Sequence, residues 1–179
     1  MKNQLPYCNT SEAIKGYSES AIAKQEMNDC VVRAIASAFD FEYDKAHKFV
    51  AEKFRRTPRR GTFGFGITMN NIAEKRIRIG RKCIKPLGKK PEYSSFYSLS
   101  YDVIFKGKKV KRDMTVSKFI SKYPTGIYII TVRNHAFTIK NGVVIGNKED
   151  SMKKRHITLT PKTLYFSKNA KQKRMIQGR

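Results

Sequence analysis

The chain has no tryptophan, three cysteines, three histidines and only 14 acidic residues in 179. Each shortage excludes something. Cys8, Cys30 and Cys83 are odd in number and irregular in spacing. That argues against a disulfide framework or a zinc cage and for reduced thiols in a cytosol. No cofactor or metal is expected. No apolar run approaches the ~18 residues of a transmembrane helix. The opening Met-Lys-Asn-Gln-Leu-Pro-Tyr-Cys lacks the apolar stretch of a secretory signal. The expectation is a protein without a membrane partner that is not secreted.

What the chain has in abundance is positive charge. Its 38 Lys and Arg against 14 Asp and Glu give a net charge of +24. Such an excess is too one-sided for a small-molecule enzyme with a neutral surface. It predicts salt-sensitive attraction to polyanions, with nucleic acid as the first partner. The charge gathers in runs without acids: KFRRTPRR at 53–60, KRIRIGRKCIKPLGKK at 75–90, and the stretch 151–179. Phe54, Phe63, Phe65, Tyr165 and Phe166 lie in or near such runs and suit either base stacking or core. GTFGFG lacks the GxxxxGK[ST] pattern of a phosphate loop and reads as a flexible loop.

Hydrophobic spacing divides the chain. Val31, Ala34, Ile35, Ala38 and Phe39 follow the i, i+3, i+4 rule and predict a helix from Asn28 to Phe39. Asn28 would cap it, with Asp29 and Cys30 in the first turn. Tyr43, Ala46, Val50 and Phe54 mark a second helix, and Thr68 would cap a third over 69–76. Residues 78–112 have no clear pattern beyond two extended pieces around KGKK. TVSKFISKY predicts a short helix stopped by Pro124. Then come strands: GIYIITV, HAFTIK and VVIGN, with Asn141-Gly142 as a hairpin signal, and RHITLT and TLYF. Helices first and antiparallel strands second predict an α+β fold. The expected organisation is an arm over 1–24, a domain over 25–166 and a basic tail over 167–179.

Three residues belong together chemically. Cys30 opens a helix, where the dipole favours a thiolate. His135 opens a strand, and Asn147 lies beyond the following turn. A thiol, an imidazole and a polar group orienting that imidazole are the parts of an activated nucleophile. The hairpin register decides whether they meet. A two-residue Asn141-Gly142 loop pairs Lys140 with Val143 and sets Asn147 against Ala136, on the wrong face. A three-residue loop, with Gly142 left-handed, sets Asn147 opposite His135. The triad therefore demands the longer loop. Gln25, five positions before Cys30, is a candidate donor to an oxyanion, with the Cys30 backbone N–H as the second.

QEMNDCVVRAIASA together with GIYIITVRNHAFTIKNGVV resembles the papain-like (C39-like) cysteine peptidases, in particular small bacteriophage-encoded ones. The resemblance covers residues 25–52 and 115–147. It implies a papain-like fold, with N-terminal helices packed on a C-terminal sheet. It places the nucleophile on Cys30, the base on His135, the orienting group on Asn147 and the oxyanion donor on Gln25. The papain pattern sets its Gln six positions before the Cys; the interval here is five, and Asn28 or Asp29 are substitutes. The implied activity is peptide or isopeptide cleavage of an unidentified protein substrate. Charge and resemblance together suggest a protein that works beside nucleic acid in a bacterial host or in a virion, with virion proteins as further partners. The rival reading is a non-catalytic nucleic-acid-binding or structural protein on the same scaffold.

Overall fold

The computed structural model describes residues 4–63, 78–79, 82–86, 100–105, 107–132, 134–152 and 164–167. The fold is α+β, helices against a mixed sheet. Its central helix, α3 (Cys30–Phe39), buries Val31, Val32, Ala34, Ile35, Ala36, Ser37, Ala38 and Phe39. Only its first turn departs from this, at Cys30 and Arg33, which are half-buried. α3 ends at Asp40, which takes the left-handed conformation (φ 57°) and donates its N–H to Ala36. The next helix, α4 (Tyr43–Phe54), buries the expected stripe of Tyr43, Ala46, Val50 and Phe54 against α3. Two shorter helices precede them, α1 (Thr10–Ala13) and α2 (Ala21–Gln25). A fifth, α5 (Val116–Lys122), is capped by the Thr115 hydroxyl, which accepts from the Lys118 N–H at 3.2 Å.

The strands are β1 (Tyr7–Asn9), β2 (Arg78–Ile79), β3 (Lys82–Pro86), β4 (Ser100–Phe105), β5 (Lys108–Asp113), β6 (Ile127–Val132), β7 (His135–Lys140), β8 (Val143–Gly146) and β9 (Leu164–Ser167). The main sheet runs β1-β8-β7-β6-β9-β3-β2, and β4 and β5 form a separate hairpin. All six residues of β6 are buried, because both faces of the sheet are covered. Ile127, Ile129 and Ala136 pack against α3 and α4. Tyr128, Ile130, Val132, Phe137 and Ile139 pack with Met114, Val116 and Phe119 on the opposite side. Thr138, also fully buried, ties sheet to helix by donating its hydroxyl to the Ala34 carbonyl at 2.8 Å.

Of the stretch 1–24, read as an arm, residues 4–24 are described and join the fold: β1 pairs in parallel with β8, and Thr10, Ile14 and Ser20 are buried. One expectation of register is corrected. The β7–β8 loop is the two-residue form. Lys140 pairs with Val143, while Asn141 (φ 50°) and Gly142 (φ 80°) occupy the two left-handed positions of a type I′ turn. Asn141 is doubly held there, its N–H donating to Gly126 and its side-chain carbonyl accepting from the Gly126 N–H. The longer loop that an Asn147 partner for His135 required does not form. The predicted helix over 69–76, the RHITLT strand and the tail beyond 167 lie outside the described residues.

Candidate active site

Cys30 is the first residue of α3, so its backbone N–H is among those that a helix leaves unbonded. Asp29 stands at the cap position but makes no side-chain cap bond, so no carboxylate covers these donors. The Asp29 carboxylate is turned inward instead. Tyr43 donates its hydroxyl to Oδ2 at 2.9 Å, and Arg33 Nε lies 2.9 Å from Oδ1. Asn28, predicted as the cap, takes a left-handed turn (φ 57°) immediately before it.

The segment entering the helix is braced by Glu26. Its carboxylate meets the Arg56 guanidinium in a two-pronged pair, at 2.9 Å and 2.7 Å. It also accepts from the Arg59 backbone N–H at 2.8 Å and bonds His47 at 2.7 Å. The Arg56 hydrogen bond is the leading cause that holds Glu26 down at about 2, against the opposing effect of burial. Arg56 further donates to the Met27 carbonyl. The basic run KFRRTPRR thus gives one arginine to the fold. His47 is part of this brace.

His135 opens β7 with its Nε2 3.0 Å from Asp150 Oδ2. That leaves Nδ1 as the ring nitrogen for the Cys30 thiol, with which the imidazole hydrogen-bonds. Burial works against both charges. It pushes the thiol up, but the hydrogen bond and charge of His135, the Ala136 backbone N–H and the Arg33 charge bring it below its ordinary value. Burial pulls the imidazole down, but Asp150 and Cys30 raise it to about 9. The two shifts act together: each group, when charged, favours the charged form of the other, which moves the pair toward thiolate beside imidazolium.

Asp150, not Asn147, is the group behind the imidazole. It sits in a one-turn 3-10 helix, Lys148–Ser151, that begins immediately after β8. Its carboxylate is buried and also accepts the Asn147 backbone N–H at 2.8 Å, closing a capping box across the turn. The Asn147 side chain points its carbonyl at Arg33, which donates at 3.0 Å. The reason is register: the two-residue turn sets position 147 against Ala136, and the short helix then brings position 150 back to His135. Gly146 makes room for this. A β-carbon there would lie 2.5 Å from Asp150 Oδ2. Arg33 also reaches the Thr10 hydroxyl at 3.3 Å, so one guanidinium links α1, α3 and the 3-10 turn. The void behind the imidazole measures about 10 Å³, and its walls include Thr10, Arg33, Gly146 and Asp150. That is at the lower limit for a single water.

Of the four residues singled out from sequence, the structure brings Cys30 and His135 together. It assigns Asn147 to Arg33. Gln25 is the exposed last residue of α2, while its neighbour Glu26 turns into the fold. As for the substitutes, Asp29 is occupied by Tyr43 and Arg33, and Asn28 is exposed. Asp150 was missed, although Asn147-x-x-Asp150 is itself a recognisable capping pattern. No group of three His, Cys, Asp or Glu able to hold a metal ion occurs among the described residues. No described helix is long and apolar enough to cross a membrane. Comparison of the chain with family models, curated proteins and solved structures finds no match.

Proposed function

We propose that the chain is a papain-like cysteine hydrolase acting on peptide or isopeptide bonds, with Cys30 as nucleophile, His135 as acid and base, and Asp150 orienting the ring. The observation that carries this reading is geometric: Cys30 at the first residue of a buried helix faces the His135 imidazole, which is held from behind at 3.0 Å by the buried Asp150 carboxylate; the lowered thiol and raised imidazole agree with it. In the first half-reaction the Cys30 thiolate attacks the substrate carbonyl carbon. The tetrahedral oxyanion is met by the Cys30 backbone N–H. The His135 imidazolium gives its proton to the leaving nitrogen as the C–N bond breaks, and a thioester remains. In the second half-reaction neutral His135 takes a proton from water, whose oxygen attacks the thioester. The C–S bond then breaks, releasing the acid and restoring the thiolate–imidazolium pair. Asp150 keeps Nδ1 turned to sulfur throughout and stabilises the ring's positive charge.

The test is labelling with iodoacetamide at pH 7, read residue by residue by mass spectrometry. Cys8, whose thiol is raised by burial and by Glu12, is the internal reference. Cys30 is expected to react at least about tenfold faster, because an ordinary thiol is only a few per cent ionised at this pH. Equal rates would remove the activated nucleophile and the proposal with it.

The charge supports a second reading, compatible with the first. At +24 the chain repels itself unless a polyanion compensates. We place its work beside nucleic acid, in a bacterial host or in a virion, on the strength of that charge and of the resemblance. If a Cys30→Ala variant keeps full biological function, binding is the function and the triad is scaffold.

A further inference from the structure

We infer that the pocket at the C-terminal end of α4 is a subsite for single-stranded nucleic acid, with a base stacked on Phe63. The pocket is open, encloses about 510 Å³, and is lined by Lys53, Phe54, Arg55, Thr57, Gly61 and Phe63. That volume suits a ligand of nucleotide size. The Phe63 side chain is 84% exposed, an unusual state for so large an apolar group. Its ring offers a flat face at the pocket wall while Phe54, buried at 5%, forms the floor.

The fold accounts for some of the cations around it and not for others. The helix dipole explains a cation in the last turn, and Lys53 answers to that. Arg56 is consumed by Glu26. Neither account covers Arg55 or Arg60. Both are exposed, and no carboxylate pairs with Lys53, Arg55 or Arg60 among the described residues. An aromatic face flanked by unpaired cations is how proteins hold single strands: stacking for the base, charge for the phosphates. An acidic peptide would satisfy the cations and leave the ring unused. The pocket also lies on the segment that braces the nucleophile helix, since Arg56 bonds Glu26 and Arg59 touches the Met27 sulfur.

This inference rests on the polyanion reading above and is independent of chemistry at Cys30. It is tested on the full chain by fluorescence anisotropy with a labelled single-stranded oligothymidylate across a salt series. Phe63→Ala is expected to weaken binding roughly 5- to 150-fold, the range for one lost stacking contact. Lys53→Gln with Arg55→Gln should flatten the log–log salt slope by about 1.4, at ~0.7 per phosphate contact. A Lys15→Gln, Lys48→Gln pair should leave the slope in place, and thermal melting should show every variant folded. Failure of the unaltered chain to bind overturns both readings. Binding that the pocket variants change no more than the control pair overturns the pocket and leaves the polyanion reading standing. Equal competition by poly-glutamate overturns the nucleic-acid assignment in favour of an acidic peptide.

Discussion

Cys8 on β1 and Cys30 on α3 are the same chemical group in opposite fields. The Cys8 sulfur lies 3.7 Å from the Glu12 carboxylate. Burial raises its thiol, and the carboxylate adds to that by charge and hydrogen bonding. Cys30 is far more enclosed, so desolvation opposes its ionisation more strongly. Yet its thiol is lowered, because an imidazole, a backbone N–H and a guanidinium face it. The contrast shows that enclosure alone does not decide a thiol's state here: burial raises both, and the sign of the neighbouring charge settles whether that rise is reinforced, as at Cys8, or reversed, as at Cys30.

The comparison breaks most completely at His135. His135→Ala removes the partner and leaves the desolvation, so the Cys30 thiol should rise toward or above that of Cys8. The labelling ratio at pH 7 should fall about tenfold or more, to near parity. Measuring the same ratio from pH 5 to 10 sharpens the point. Cys30 should reach full reactivity below the ordinary thiol range, and Cys8 above it. Turnover, which needs an imidazolium to protonate the leaving group, should decline as pH rises through about 9.

Stability carries the same signature with its sign divided between the two groups. The raised His135 contributes stability that is complete below about 6.5, its unfolded value, and is lost as pH climbs through about 9. The lowered Cys30 contributes stability that is complete above the ordinary thiol value and is lost as pH falls through its folded one. Where the two windows overlap, between the folded Cys30 value and about 9, the slopes oppose each other, because folding there moves a proton from sulfur to ring. Cys30→Ser should expose the histidine slope alone, though a smaller one, since Asp150 is then the remaining cause of the shift. Urea midpoints at pH 7, 8 and 9 should fall more steeply with pH for the serine variant than for the unaltered chain.

A subtler disturbance comes from Gly146. Its backbone is not in the left-handed region, so alanine meets no conformational objection; the obstacle is the Asp150 carboxylate, 2.5 Å from where the new carbon would sit. Gly146→Ala should push that carboxylate off the imidazole and lower His135 from about 9 toward its ordinary value. The alkaline limb of turnover should shift down with it, and the labelling ratio should drop several-fold, short of the loss in His135→Ala. NMR titration of the His135 ring reads the shift directly. An unchanged titration in a folded variant would show that Asp150 does not set the imidazole.

How much of this was legible in the sequence varies with the range of the interaction. α3 and α4 were visible because helical spacing is local: Val31 to Phe39 and Tyr43 to Phe54 bury the residues that their periodicity selects. The β7–β8 hairpin was visible in Asn141-Gly142, but not its register, since the same dipeptide fits a two- or three-residue loop. One residue of register moved the orienting role from position 147 to 150. β1 was invisible because three residues, Tyr7–Asn9, carry no period and pair in parallel with a strand more than a hundred positions away. The Glu26–Arg56 brace was hidden in the same way: in a run of five cations nothing local distinguishes the one whose side chain is wholly buried.

The smallest expected effect separates the two registers. Had the longer loop formed, Asn147 would hold the imidazole, and Asn147→Ala would cost as much as losing the orienting group of a triad. In the register observed, its side chain accepts one hydrogen bond from Arg33, while the bond it gives toward Asp150 comes from its backbone N–H, which alanine retains. Arg33 keeps Asp29 and Thr10 as partners. The loss is then one half-exposed hydrogen bond to a charged group and the cap of a single 3-10 turn, about 1–2 kcal/mol of stability. The Cys30-to-Cys8 labelling ratio should change by less than about twofold, since neither charge facing the thiol has moved. Asp150→Asn, by contrast, keeps the shape and removes the charge that raises His135. If Asn147→Ala lowered the ratio as far as Asp150→Asn does, the assignment of Asp150 as the orienting group would be wrong.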